Sequence, residues 1–131
     1  MIAITGASGQ LGKLVLEELI SLGTPANEIT ALARSTDKLE AFAGRGIQVV
    51  YADYNNPESL EDALKSVTRL LLISSSEVGQ RIQQHKAVID SALNNSVEFI
   101  AYTSILRADD SPLALAAEHK ATESLIKESF P

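Results

Sequence analysis

The feature that most constrains the fold is a run of spaced glycines at the start of the chain. Glycines occupy positions 6, 9 and 12, directly after an apolar run at residues 2–5 and directly before a segment of helical period. Glycine tolerates positive φ, leaves the backbone bare and lets a helix pack closely on a strand. Free amides at the start of the helix, with its dipole, favour a phosphate. The pattern predicts a phosphate-binding loop formed by Gly6, Ala7, Ser8, Gly9, Gln10, Leu11 and Gly12.

This loop has the spacing G-x-x-G-x-x-G, which differs from the G-x-G-x-x-G fingerprint of many dinucleotide-binding folds. The alternative interpretation is a glycine turn that serves packing alone. The preceding strand and the following helix favour the phosphate-binding interpretation.

The rest of the chain alternates short apolar runs with longer helical segments, which is typical of a parallel sheet. The first helix is expected to turn Leu11, Leu14, Val15, Leu19 and Leu22 inward. Further helices are predicted at residues 36–43, after a cap at Asn56, and at residues 78–93 and 111–129. Strands are predicted at residues 2–5, 29–33, 47–52, 70–74 and 97–103. The predicted fold is α/β: a Rossmann-like, doubly wound parallel sheet of about five strands with helices on both faces.

The amino-acid composition argues against several classes of function and partner. The 131 residues suit one domain, and the net charge of −6 argues against nucleic acid or an anionic membrane surface as a partner. Cysteine is absent, which excludes thiolate catalysis and fits a cytoplasmic protein. No leader segment is expected before the first strand. The acidic residues show no spacing typical of a metal site, so none is predicted.

The residue after the second predicted strand distinguishes between nicotinamide cofactors, because that position reaches the adenosine ribose. An acidic residue there would bind the 2′-hydroxyl of NAD. This chain has Arg34, a planar cation suited to the 2′-phosphate of NADP(H), with Ser35 and Lys38 as helpers. The sequence therefore predicts NADP(H); the alternative is a solvated surface arginine.

Two further polar segments follow predicted strands and are expected at the same edge of the sheet. Asp53 is a candidate acceptor for the adenine amino group, or alternatively a turn aspartate bonded to its own backbone. Ser74, Ser75 and Ser76 are candidates for the nicotinamide-side ribose, or alternatively a hydrophilic loop.

These segments together resemble the NmrA-like branch of the atypical short-chain dehydrogenases, nearest to its NAD(P)H:quinone oxidoreductase type. The resemblance rests on MIAITGASGQLG, LARS, ADY, LLLISSSEVGQR and FIAYTS in that order, and it extends along essentially the whole chain. It implies an NADPH-dependent oxidoreductase that passes hydride to a quinone-like acceptor. It leaves open a non-catalytic redox sensor or an inactive remnant, so enzymatic activity stays undecided.

The resemblance also carries over the family's functional positions. It assigns phosphate binding to Gly6–Gly12, the 2′-phosphate contact to Arg34 and the ribose contact to Ser74–Ser76. Lys120 aligns with the lysine of short-chain dehydrogenases, but Ala116 occupies the tyrosine position, so no catalytic residue is assigned. Ser104 matches the active-site serine region, with a plain strand-end hydroxyl as the alternative. A packed, structural role is favoured for His85. His119 is a candidate proton donor, with a structural or solvent-facing histidine as the favoured alternative.

Family members continue beyond this length into further strands and a substrate lobe. By this resemblance residues 1–131 form an incomplete NAD(P)-binding domain without its C-terminal strands. A sheet with an unpaired edge is expected to associate with itself or with a second chain.

Overall fold

A computed structural model describes residues 1–77, 79–105, 107–108 and 115–130. Its described part contains a five-stranded parallel sheet in the order β3-β2-β1-β4-β5. In register, Ile2 lies opposite Ile29 on one side and Arg69 on the other. The prediction of five parallel strands in a Rossmann-like fold is confirmed, with strand ends that differ from the predicted ones by at most two residues. The strands are β1 (Ile2–Ile4), β2 (Ile29–Ala33), β3 (Gln48–Tyr51), β4 (Arg69–Leu72) and β5 (Phe99–Tyr102).

The connections are mostly helical, and their ends follow local chemistry. The Asn56 side chain accepts a hydrogen bond from the Ser59 amide at 3.3 Å and Pro57 takes the first helical position, as the sequence predicts. The segment predicted at 36–43 is a 3₁₀ turn followed by a single helical turn. Residues 78, 111 and 112, predicted to begin the last two helices, lie outside the described residues. The helices are α1 (Gln10–Ser21), α2 (Glu40–Ala43), α3 (Pro57–Ala63), α4 (Arg81–Asn94) and α5 (Ala116–Ser129).

Two hydrophobic cores cover the two faces of the sheet. Neighbouring strand residues alternate between them: Ala3 belongs to one core and Ile4 to the other. The first core contains side chains of α3 and α4, and the second contains side chains of α1 and α2. Helices therefore pack on both faces, which is the predicted doubly wound arrangement.

The inward face of α1 differs from the prediction. Leu11, Leu14 and Leu22 are 47%, 67% and 74% exposed, whereas Gly12 and Leu16 are buried. The periodicity of leucines suggested the wrong rotation, because the close approach of Gly12 to the preceding turn fixes which side of the helix meets the sheet. The prediction is confirmed for Val15 and Leu19, which pack partly buried against the core together with Ile20.

The described residues contain neither a candidate membrane-spanning helix nor a candidate metal-binding cluster. No helix in this part of the chain is long and apolar enough to cross a membrane. The same residues contain no group of three or more His, Asp or Glu side chains arranged to hold a metal ion.

Candidate functional site

A cleft of about 410 Å³ lies at the carboxyl ends of β1, β2 and β4. This is the edge where an open parallel sheet presents a ligand site, because the strand order reverses there. Ser35 and Lys38 also line the cleft, as the sequence suggested. Of the site residues predicted from the sequence, all but Ala7 line this cleft, namely Gly6, Ser8, Gly9, Gln10, Leu11, Gly12, Arg34, Asp53, Ser74, Ser75 and Ser76.

Two of the three glycines in the turn are required by geometry. Gly6 has φ of +60°, a conformation that L side chains rarely adopt. A Cβ on Gly12 would lie 2.5 Å from the Gly6 carbonyl oxygen and 2.6 Å from the Ala7 Cα, and both are backbone atoms. A Cβ on Gly9 would approach only to 3.5 Å, which is ordinary contact. Gly6 and Gly12 therefore shape the turn, while Gly9 leaves the floor of the cleft bare.

The amides of this turn divide into two groups. The Ala7 amide donates to the Leu32 carbonyl at 3.0 Å, and the Gly9 amide donates to the Gly6 carbonyl at 3.1 Å. Ala7 is fully buried, so the expectation that it binds phosphate is replaced by a role in joining β1 to β2. Within the described part of the chain, five amides of the turn and the first helical turn donate to no protein group: those of Gly6, Ser8, Gln10, Leu11 and Gly12.

Arg34 lies at the rim of the cleft where β2 ends. Its side chain is 64% exposed, and its guanidinium lies 3.8 Å from the Glu77 carboxylate on the opposite side. An exposed ion pair at this distance contributes little to stability. The arginine is therefore available to an anion that enters the cleft.

Asp53 takes the turn arrangement that the sequence left as an alternative. Its Oδ1 accepts a hydrogen bond from the Asn55 amide at 2.9 Å, and its own amide donates to the Ser59 hydroxyl at 2.9 Å. Asp53 still lines the cleft, but one carboxylate oxygen is already engaged. Asp53 therefore forms the turn, and its contact with the adenine amino group stays a prediction.

Tyr54, to which the sequence analysis assigns no role, connects the chain after β1 with the chain after β4 inside the cleft. Its hydroxyl donates to the Ile73 carbonyl at 2.8 Å and lies 2.9 Å from the Thr5 hydroxyl. Burial raises the pKa of Tyr54 to about 12, so the phenol stays protonated near neutral pH. A lone tyrosine in a loop carries no spacing signal, and only the fold places it between β1 and β4.

Ser74–Ser76 form the wall of the cleft after β4, and their backbone is firmly held. The Ser74 amide donates to the Thr103 hydroxyl at 2.8 Å, and the Ser75 amide donates to His85 Nε2 at 3.0 Å. Arg81 Nε donates to the Ser75 carbonyl at 2.6 Å. The Ser75 hydroxyl is buried without a hydrogen-bond partner in the described part of the chain.

His85 is fully buried behind this wall, which agrees with the packed histidine favoured by the sequence. Since Nε2 accepts from the Ser75 amide, the proton lies on Nδ1, which donates to the Thr122 hydroxyl at 2.9 Å. Burial, with His119 and Arg81 nearby, lowers the pKa of His85 to about 4. The ring is therefore neutral at physiological pH.

The usual catalytic pair of short-chain dehydrogenases is not formed on α5. Ala116 is buried at the tyrosine position, and Lys120 is exposed and does not line the cleft. The inward face of α5 instead brings His119 Nδ1 to 2.5 Å from the Tyr102 hydroxyl. Burial raises the pKa of Tyr102 and lowers that of His119. The Ser104 hydroxyl is buried without a partner among the described residues and lies outside the cleft lining.

The chain is similar in sequence to known NAD(P)H-binding proteins. Residues 6–129 match the sequence model of a family described as NAD(P)H-binding. The chain is 54% identical over 98% of its length to quinone oxidoreductase 2 of Escherichia coli, covering 45% of that relative. It is 35% identical over 96% of its length to an NmrA-like family domain-containing oxidoreductase of Aspergillus flavus, covering 43% of that relative. The chain therefore spans less than half the length of these relatives.

Solved structures give the same picture. The E. coli NADPH-dependent quinone oxidoreductase complexed with NADPH matches with a TM-score of 0.94 and 53% identity, over 98% of this chain and 45% of the other. Citrobacter sp. triphenylmethane reductase complexed with NADP(H) matches with a TM-score of 0.94 and 40% identity, over 98% and 46% of the two chains. The fold of this chain is thus the one seen in the matching part of these two reductases.

Proposed function

The chain belongs to the NAD(P)H-binding, NmrA-like family, and on this premise we propose that it binds NADP(H) in the cleft for hydride transfer to a quinone-like acceptor. Residues 1–131 would act as one NAD(P)-binding domain. The proposal rests on the relatives' cofactor and on one observation, namely that the unbonded amides and Arg34 line the same cleft.

Each part of the cleft suits one part of the dinucleotide. The amides of Ser8, Gln10, Leu11 and Gly12 suit the pyrophosphate, because free amides at a helix start favour a bound anion. Arg34 directly follows β2, on one side of the glycine turn, and suits the 2′-phosphate. The remaining nicotinamide riboside would then extend to the other side, towards the serines after β4.

The protein's own contribution to the reaction is binding and orientation. The nicotinamide, when bound, supplies the hydride. Tyr54 stays protonated through burial and is engaged with the Ile73 carbonyl, so it holds the cleft together rather than exchanging protons. The reduced acceptor oxygen is protonated by solvent in this proposal.

The first experiment compares NADPH and NADH binding by calorimetric titration. We expect NADPH to bind more tightly, by about 1 to 3 kcal/mol, because Arg34 forms a charge-assisted hydrogen bond with the additional phosphate. Arg34→Ala should remove most of this difference. Arg45→Ala is the matched control, since Arg45 pairs with Glu17 on the surface and does not line the cleft. Equal affinities for the two cofactors in the wild type would refute the NADP(H) preference.

A second experiment measures turnover. The chain is mixed with NADPH and a naphthoquinone, and the loss of nicotinamide absorbance is compared with the uncatalysed rate. We expect turnover, with Arg34→Ala raising the KM for NADPH. Buried Ala116 and exposed Lys120 favour a second candidate, a non-catalytic NADP(H) sensor. Tight binding without turnover would support the sensor, and absence of binding would reject both functions.

We also propose that the protein associates with a second copy of itself through β5. This strand pairs only with β4 in the described part of the chain, and Phe99 on it is 59% exposed. Unpaired strand edges and exposed apolar side chains favour association. Light scattering at micromolar concentration should give a mass above the monomer, and Phe99→Lys should reduce it. A monomer mass for the wild type would contradict the proposal.

A further inference from the structure

Two side chains of α4 hold the backbone of Ser75, one at its amide and one at its carbonyl. Its amide donates to His85 Nε2 at 3.0 Å, and its carbonyl accepts from Arg81 Nε at 2.6 Å. Ser75 lines the cleft, whereas neither His85 nor Arg81 does. The two side chains therefore act on the site only through the backbone that they hold.

Arg81 and His85 both form polar contacts with residues of α5, and α5 contributes no residue to the cleft lining. Arg81 pairs with the Glu118 carboxylate at 3.2 Å, and the two side chains are only 10% and 13% exposed. His85 Nδ1 bonds the Thr122 hydroxyl at 2.9 Å, and that hydroxyl donates to the Glu118 carbonyl at 2.9 Å. A buried chain of bonds thus runs from α5 through α4 to the serine wall.

This series of hydrogen bonds depends on the protonation state of His85 in particular. The partly buried Ser75 amide needs an acceptor, and among the ring nitrogens of His85 only an unprotonated Nε2 supplies one. An apolar side chain of similar size would fill the space but leave the amide unpaired.

We propose that His85 is a positioning residue, which holds the Ser75 peptide so that Ser74–Ser76 face the nicotinamide half of the bound dinucleotide. This inference rests on the proposed function. It also predicts that the two halves of the ligand respond differently, because the Arg34 rim lies across the glycine turn from this wall.

The experiment compares His85→Leu, His85→Asn and His85→Gln by titration with NADPH and with 2′,5′-ADP, which lacks the nicotinamide half. The glutamine carbonyl reaches the position of Nε2, whereas the asparagine carbonyl reaches only that of Nδ1. We expect Leu and Asn to weaken NADPH binding about fivefold to tenfold, the effect of one lost hydrogen bond. Binding of 2′,5′-ADP should be unchanged in both, and Gln should restore NADPH binding.

A second measurement needs no ligand. Hydrogen exchange of the Ser75 amide should be slow in the wild type and in His85→Gln, and fast in His85→Asn. The exchange rate is measured only in variants that circular dichroism shows to be folded. If His85→Leu does not fold, His85→Asn and His85→Gln still provide the comparison.

The outcomes separate the two proposals. Equal losses for both ligands, or NADPH affinity unchanged in His85→Asn, would overturn the positioning role while leaving NADP(H) binding intact. A wild type that binds neither ligand would overturn the proposed function, and the positioning role would fall with it.

Discussion

The two halves of the cleft are built in different ways. The half formed by β1 and β2 uses backbone amides of a single turn and one exposed arginine. The half after β4 uses the Thr103 hydroxyl, just past β5, and buried side chains of α4 and α5. Bonds such as His85–Thr122 and Arg81–Glu118 join residues 37 positions apart in sequence. The comparison teaches that one half depends on local conformation and the other on the assembled tertiary structure.

The largest expected effect tests the local half. Gly12→Ala should lower the free energy of unfolding by about 3 to 4 kcal/mol, because the new Cβ overlaps backbone atoms that have no room to move. Chemical denaturation measures it.

Gly9→Ala is the control in the same turn. Its Cβ meets nothing closer than 3.5 Å, so stability should change by less than about 1 kcal/mol. NADPH binding should nevertheless weaken, because Gly9 lines the cleft. Similar stability losses in both variants would show that the turn is not shaped by Gly12.

The second prediction concerns acid stability and tests the tertiary half. The folded-state pKa of His85 is lowered from 6.5 to about 4, so between these values the unfolded chain binds more protons than the folded one. Stability should therefore fall as the pH drops from about 6.5 to 4, by up to about 3 kcal/mol from this residue.

Denaturant titrations of the wild type and His85→Gln across this range measure the effect. The charged and titratable groups around His85 are Arg81 on its own helix, Glu118 and His119 on α5, Tyr102 on β5 and Tyr54 after β3. These groups remain in His85→Gln, so the difference between the two curves isolates His85. Parallel curves would contradict the prediction.

The smallest effect concerns α1, where local pattern and tertiary structure disagree. Leu14 is 67% exposed, so Leu14→Gln should change stability by no more than about 0.5 kcal/mol. Leu16→Ala, in the buried position two residues on, should cost several times as much as Leu14→Gln, because it leaves a cavity in the core. Thermal denaturation of both variants checks the rotation of the helix, and a large loss for Leu14→Gln would restore the leucine face predicted from sequence.

Much of the fold was predictable from sequence, because its signals are local. Apolar runs marked the five strands, and the Asn56-Pro57 pair marked the start of α3. The rotation of α1 was not predictable from its leucines, since the contact of Gly12 with the turn decides it. Asp53 shows the same limit: a polar residue after a strand suggests a ligand contact, yet its oxygen bonds the adjacent turn.

By itself the sequence determined the parallel order of strands and helices, the glycine turn and the cation after β2. These features depend on the conformational freedom of single residues and on short-range periodicity, and both are visible in the sequence itself. Only the tertiary structure decided that Ala7 turns inward, that Tyr54 bridges the cleft and that His85 holds Ser75. Those contacts join residues distant in sequence, and their hydrogen bonds and pKa values arise from burial that no local pattern encodes.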